Sequence, residues 1–530
     1  MAGSEAGHDG VGELPQICAH VIERKQENPS RCRMNTTRCR HLSAAIVAAV
    51  LALAGATEAR AQWTEWLKGD WVDRLSEAVI TPEQERQIAE GEHPKILAQF
   101  GGEYGDPALK DYLTQLVNTL GQASARPDIP YRVTLLNTPV VNAFALPAGY
   151  LYTTRGLLAL AGSEAELAGV MAHEIGHVTA RHTAQRYGRA VLAGGASGLA
   201  GLLNMPVLEQ AIAMGGQLWI QSFSREQEFQ ADELGVATMA RAGYDPLAMS
   251  SFLGKLQLHS ELQAALAGRP AGEADQFNLF ATHPRTAERV ERAIEQAGLS
   301  GVKRGRNDRD LYLRRIDGVL YGDDPDQGYV RGRTFLHPAL RLRFEVPEGF
   351  QLLNGAEEVT ATGPGGAMIR FDNAPENYRG PMRGYVTDLW ARQAPIAQVE
   401  QLNVNAMEGA SAVSRLNTQS GPVDVRFTAI RFTPDRIFRF QFIAPSQVAA
   451  QLGPEFGKVT GSFRRLTDQE AAALKPYRLR LVAAASGDTV ESLAGRMTQP
   501  SKQAERFRAL NGLKPGEQVA AGRLYKIVGD

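Results

Sequence analysis

The stretch Val170–His182, V-M-A-H-E-I-G-H-V-T-A-R-H, constrains this chain more than any other. His173 and His177 stand four residues apart, and a helix of about 3.6 residues per turn stacks such positions on one face. Both imidazoles can then reach one metal ion. Glu174 follows the first histidine and projects beside that ion, where a carboxylate can take a proton from water. This spacing reads as zinc-peptidase chemistry. The competing reading is a surface helix that carries two histidines and a glutamate by chance. The flanks weigh against it, because Ala165–Ala172 and Val178–Ala180 are largely apolar at helical spacing, so the helix is expected to bury the face opposite water. Ser163 is the expected N-cap, with Glu164 and Glu166 charging the first turn.

The bulk properties set limits on what surrounds this helix. A chain of 530 residues, 44% hydrophobic and 22% charged with a formal net charge of -1, is globular. At that length it should divide into about two to four domains. The near-zero charge offers no basic patch, so no nucleic-acid partner is expected. Residues 42–55 form an apolar run behind Arg38 and Arg40 and ahead of Ala59-Arg60-Ala61. That order is a secretory signal, residues 34–61, with cleavage expected after Ala61; the alternative is an uncleaved anchor, for which the run is short. Met34 is the expected start, which makes residues 1–33 a polar, non-native extension. Cys18, Cys32 and Cys39 all precede the cleavage site, so the mature protein is expected to carry no disulfide or lipidated cysteine. The expected compartment is the periplasm.

Past the signal, Thr81-Pro82-Glu83-Gln84 looks like a capped helix start, and Leu109, Tyr112, Leu113, Leu116, Val117 and Leu120 mark an amphipathic packing helix after Asp106-Pro107. Tyr131–Leu136 reads as a strand. Val140–Tyr152 is apolar and broken by Pro147 and Gly149, a hairpin that either lies in the core or edges a cleft where an extended peptide could pair with it. Residues 190–203 and 205–220 are Gly- and Ala-rich hydrophobic pieces; buried or lid helices are expected there in preference to membrane contact. Ser224–Glu233 reads as a helix with Glu228 and Asp232 on one face and Glu233 off it. Acidic residues on a helix commonly form a solvated face. Catalytic zinc nevertheless needs a third protein ligand and one open position, and Asp232 could orient a ligating histidine.

His173-Glu174-x-x-His177, the upstream Asn142–Pro147 with Tyr150 and Thr154-Arg155-Gly156, and the downstream Ser224-Arg225-x-x-Glu228-x-x-Ala231-Asp232 together resemble the HtpX and CAAX-prenyl-protease family of zinc peptidases. The resemblance runs from about Thr81 to Leu299 and is nearest the soluble periplasmic BepA-like branch, which acts in outer-membrane protein quality control. It implies an α+β gluzincin-type domain, mainly helical with a small edge sheet. It also implies one Zn²⁺ per chain, Glu228 as third ligand and Asp232 as a supporting carboxylate. Ala148 stands where that family often has glycine. Thr282–Arg289 matches the family's downstream His-Pro block, so His283 is a removable fourth ligand, a transition-state stabiliser or a structural histidine. His182 is read as structural.

Residues 78–300 are thus the expected peptidase domain, and 301–333 a charged, solvated linker. Residues 334–466 alternate like strands around a helical Tyr385–Ala394 and form an α+β domain with no catalytic cluster. The last part, 477–528, carries Ser486–Ala494, Phe507–Leu513 and Gly516, Gly522, Leu524 and Ile527. It resembles a LysM module, which implies a β-α-α-β fold that binds peptidoglycan or is purely structural.

The expected activity is that of an exported zinc endopeptidase acting on unfolded or misassembled envelope polypeptides, with Glu174 as base, assisted by Asp232 and His283. The rivals are a periplasmic chaperone or assembly adaptor with a latched zinc site, and a peptidoglycan-binding scaffold.

Overall fold

In the computed structural model the chain separates into two compact units, Met1–Gly69 and Asp70–Asp530. The residues described are 80–530 except 187–222, 267–282, 284–286, 303–304, 376, 397, 419–420 and 500. They all belong to the second unit. The expected signal, the start at Met34 and the hydrophobic pieces 190–220 lie outside the described residues.

The peptidase region is built on capped helices. Helix α1 (Pro82–Gln99) starts in a capping box between Thr81 and Gln84, and α2 (Pro107–Ala123) is capped by the Asp106 side chain, which accepts from Leu109 N–H. Three strands follow: β1 (Arg132–Leu136), β2 (Ala143–Leu146) and β3 (Tyr150–Thr154). Their order is β1-β3-β2, with β3 parallel to β1 and antiparallel to β2, so β2 is an edge of this sheet. Between β2 and β3 the chain turns through Ala148 at φ 58° and Gly149 at φ 84°. Ala148 therefore sits in the left-handed region that a glycine adopts without a Cβ penalty.

Helix α3 (Arg155–Leu160) leads to α4 (Glu164–Thr179), capped as expected by Ser163, whose side chain accepts from Glu166 N–H. Helix α4 is not amphipathic: every residue from Glu164 to Val178 is buried. The charges of its first turn are paired within the protein. Glu164 accepts from Tyr244 Oη at 2.7 Å, and Glu166 accepts from Lys255, Ser251 and the Gly162 N–H, each at 2.7 Å. Against α4 lies α5 (Arg225–Arg241), whose start is a capping box between Ser224 and Gln227. Glycines let the two helices approach closely. A Cβ on Gly176 would stand 2.7 Å from the Ala231 carbonyl oxygen, and one on Gly235 would stand 3.1 Å from His173 N. Helices α6 (Leu247–Leu266) and α7 (Ala287–Leu299) complete this layer.

The stretch expected as a solvated linker contains α8 (Arg309–Ile316), which buries Tyr312, Leu313 and Ile316 in the peptidase core, followed by short strands β4 (Leu320–Tyr321) and β5 (Tyr329–Arg331). Val319, Leu320 and Tyr329 are buried as well, and so is the charged Asp324, so the stretch is anchored along much of its length. Arg155, fully buried, fixes this segment from the other side: it donates to Asn137 Oδ1 and to the carbonyls of Leu320 and Gly322.

Residues 334–465 form two antiparallel sheets. Strands β6 (Thr334–His337) and β7 (Leu342–Glu345) join β5 and the short Arg464–Arg465 strand. Seven further strands make the larger sheet, with the long neighbours Met407–Thr418, Gly421–Thr433 and Arg436–Pro445 side by side. The helix expected over Tyr385–Ala394 is a wider π-type turn at Tyr385–Trp390, with Ala391 N–H donating to the Val386 carbonyl.

Residues 477–529 follow the order strand, helix, helix, strand: Tyr477–Ala483, Val490–Ala494, Gln503–Asn511 and Leu524–Gly529, with the two strands antiparallel. They share a core with the peptidase helices, Leu493, Phe507 and Tyr525 belonging to the same buried cluster as Leu157 and Met171. Lys526 sits inside this contact, 1% exposed, and donates to the carbonyls of Ala159, Leu160 and Ala161 at 2.6 to 2.9 Å. The Lys526 amine at these carbonyls closes the C-terminal end of α3, where unpaired acceptors collect, and burial pushes its pKa well below the ordinary lysine value.

Candidate metal centre

Helices α4 and α5 bring the sequence-predicted residues together. His173 Nε2 and His177 Nε2 are 3.0 Å apart. Glu228 Oε2 lies 3.5 Å from the first and Glu228 Oε1 lies 3.5 Å from the second. His283 joins them, its Nδ1 being 3.2 Å from His173 Nε2 and 2.9 Å from Glu228 Oε1. All four residues are buried and offer donor atoms within 4.8 Å of one another.

This arrangement fits a metal on two grounds. His173 Nδ1 is 2.9 Å from Asp232 Oδ1, outside hydrogen-bond geometry, and a carboxylate at that distance favours the tautomer whose proton is on Nδ1 and whose Nε2 lone pair faces inward. His177 Nδ1 likewise has its own partner, His182, at 2.9 Å. Two lone pairs 3.0 Å apart repel unless a cation lies between them. The spacings are also those of a tetrahedral cage, because bonds of about 2.0–2.1 Å imply donor separations of about 3.3 Å. Burial, followed by His173 and His283, pushes the His177 pKa well below the ordinary value, which keeps the ring neutral as a metal ligand must be.

Glu174 is 1% exposed, and neither of its carboxylate oxygens has a hydrogen-bond partner. Burial raises its pKa, opposed by His283 and His173. Its Oε1 is 3.5 Å from His283 Nε2, another buried atom without a hydrogen bond. A small apolar pocket lined by Met249, Phe252, Leu253 and Leu256 lies beside Glu174.

Asp232 sits where a supporting carboxylate was expected, but its main anchor was not foreseen. Arg289 donates to both Asp232 oxygens at 2.8 Å, and its third nitrogen is 2.6 Å from Glu228 Oε2. The same nitrogen donates to the His283 carbonyl at 3.5 Å. Burial alone would raise the Asp232 pKa, yet the hydrogen bonds from Arg289 and His173 outweigh it and hold the group at about 2. One guanidinium thus ties together the acid on each side of the cluster and the segment bearing His283. Arg289 lies six residues beyond His283 in the block already singled out, and that proximity was the one available signal. Phe223 was also missed; its ring stacks on His177 with centroids 4.0 Å apart.

Two imidazoles one helical turn apart, a carboxylate between them and a carboxylate from the adjoining helix define a metallopeptidase domain. Comparison with known proteins agrees, residues 107–297 matching the model described as Peptidase family M48. A putative beta-barrel assembly-enhancing protease of Vibrio cholerae is 34% identical over 204 residues, 36% of this chain and 40% of its own length. The beta-barrel assembly-enhancing protease of Escherichia coli K12 is 30% identical over 222 residues, 40% of this chain and 43% of the relative. A protease HtpX homolog of Paraburkholderia phytofirmans is 31% identical over 216 residues, 34% of this chain but 74% of the relative. The chain belongs to peptidase family M48, a family of metallopeptidases. It spans about two fifths of the length of the beta-barrel assembly-enhancing proteases it matches.

Proposed function

We propose that this chain is an exported zinc endopeptidase that hydrolyses peptide bonds of unfolded or misassembled envelope proteins. The observation that carries the reading is the convergence of the His173 and His177 lone pairs with Glu228, beside a buried Glu174 that has no partner of its own. His173, His177 and Glu228 would hold the ion. Bound zinc supplies Lewis-acid polarisation of the scissile carbonyl and makes water nucleophilic near neutral pH. Glu174 takes the proton of the attacking water on a carboxylate oxygen and passes it to the leaving amine nitrogen. Its raised pKa suits both halves of that transfer. Asp232, held by Arg289, keeps the His173 ring in register. The apolar pocket beside Glu174 suits one small hydrophobic side chain of a peptide.

The names of the beta-barrel assembly-enhancing relatives support proteins of β-barrel assembly as clients, and the apolar run at residues 42–55 behind Arg38 and Arg40 supports export. No helix among the described residues is long and apolar enough to cross a membrane. Residues 477–528, by their strand-helix-helix-strand order, are proposed as a LysM-like module offering a peptidoglycan contact.

A latched form of the same site is favoured by one observation, the fourth donor supplied by His283. The test of both readings is casein cleavage by the full chain. Cleavage should disappear on chelation and return with zinc, and His283→Ala should raise it. Cleavage that survives chelation would contradict the metallopeptidase reading. A His283→Ala variant no faster than the parent would remove the latch.

A further inference from the structure

The two histidines of the zinc motif are held in different ways. His173 leans on a carboxylate, Asp232, at 2.9 Å. His177 leans on another imidazole, with His177 Nδ1 and His182 Nδ1 2.9 Å apart, and His182 Nε2 in turn lies 3.0 Å from Gln230 Oε1. The protons along this chain can be assigned. The amide oxygen of Gln230 only accepts, so His182 carries its hydrogen on Nε2 and presents a bare Nδ1 to His177. His177 must then carry its hydrogen on Nδ1, which leaves Nε2 bare on the side of His173 Nε2 and Glu228. His182 is fully buried at the end of the motif, whereas Gln230 is exposed on α5, two residues past Glu228.

We propose that His182 is a positioning residue for the zinc site, fixing the tautomer and ring orientation of His177 through a relay that ends at Gln230. His182 does not touch the ion or the substrate. The relay ties the end of the motif segment to the helix that supplies Glu228, so the two halves of the donor set share one hydrogen-bonded chain. The inference rests on the zinc reading of the site, and its effect is on metal affinity.

Zinc affinity of the full-length protein, measured by competition with a chromogenic chelator, tests it. His182→Ala is expected to weaken zinc binding by about 10–100-fold, the usual cost of losing a partner to a ligating histidine. His182→Asn keeps an acceptor at the δ position and should recover most of that loss. Should His182→Ala fail to fold, the exposed Gln230 supplies a second route. Gln230→Lys puts a donor against Nε2–H and so opposes the required tautomer, which should weaken binding by about tenfold. Gln230→Glu keeps the acceptor and should bind as tightly as the parent. A parent protein that binds no zinc takes the site reading and this inference down together. A parent that binds zinc, with His182→Ala or Gln230→Lys equally tight, or with His182→Asn as weak as His182→Ala, overturns the relay alone.

Discussion

Glu174→Gln is expected to lower casein cleavage by about 10²–10⁴-fold, the range that a positioned general base supplies, while the protein keeps its full complement of zinc. Glutamine matches glutamate in shape and leaves His173, His177 and Glu228 untouched, but its amide cannot take up a proton from water. The expectation follows from where the carboxylate sits. It is buried beside the donor cluster, and its two oxygens lack any hydrogen bond that would give them a structural purpose. Undiminished cleavage by a zinc-loaded Glu174→Gln protein would show that the base lies elsewhere.

The second large effect concerns stability. Arg289→Leu removes the only guanidinium that faces Asp232 and Glu228 among the described residues, and both carboxylates are nearly inaccessible. Stripping one partner from a buried ion pair costs about 3–5 kcal/mol, because the remaining charge cannot return to water. In a domain of this size that corresponds to a fall in Tm of about 6–20 °C. Differential scanning calorimetry of the metal-free protein isolates the effect from zinc binding. A Tm within about 2 °C of the parent would mean that water or a neighbouring group replaces the arginine.

Much of this site was legible before any coordinates. The four-residue spacings of His173 and His177, and of Glu228 and Asp232, carry their geometry within single helices, and the caps at Thr81, Asp106 and Ser163 are local in the same way. What failed was anything decided by distant residues. The apolar spacing of its flanks predicts that helix α4 buries one face only, with Glu164 and Glu166 charging its first turn. Their partners Tyr244, Ser251 and Lys255 lie 80 to 89 residues away, and no local pattern announces them. Arg289 reaches Asp232 across 57 residues for the same reason. The stretch 301–333 reads as a linker on its charge, yet Tyr312, Leu313 and Ile316 of α8, the buried Val319, Leu320 and Tyr329 and the bonds from Arg155 anchor it. Lys526 shows the limit most plainly. A lone lysine in a terminal strand reads as exposed, while its Nζ closes a helix some 365 residues earlier in the chain.

The Ala148 turn is a milder case. Ala148 stands where the resembled family often has glycine, and its φ of 58° puts it in the left-handed region despite its Cβ. The C-terminal strand-helix-helix-strand segment carries a different lesson. Its internal order is the one that the resemblance to a LysM module implies, whereas nothing in the sequence announces the core it shares with the peptidase helices.

The account turns on a metal held by His173, His177 and Glu228, and elemental analysis of the purified full-length protein tests that most directly. Zinc should be present at one ion per chain in the parent and in Glu174→Gln, and should fall to trace levels in His177→Ala and Glu228→Ala after dialysis. A parent that carries no zinc when supplied with it, or ligand variants that retain as much as the parent, would contradict it.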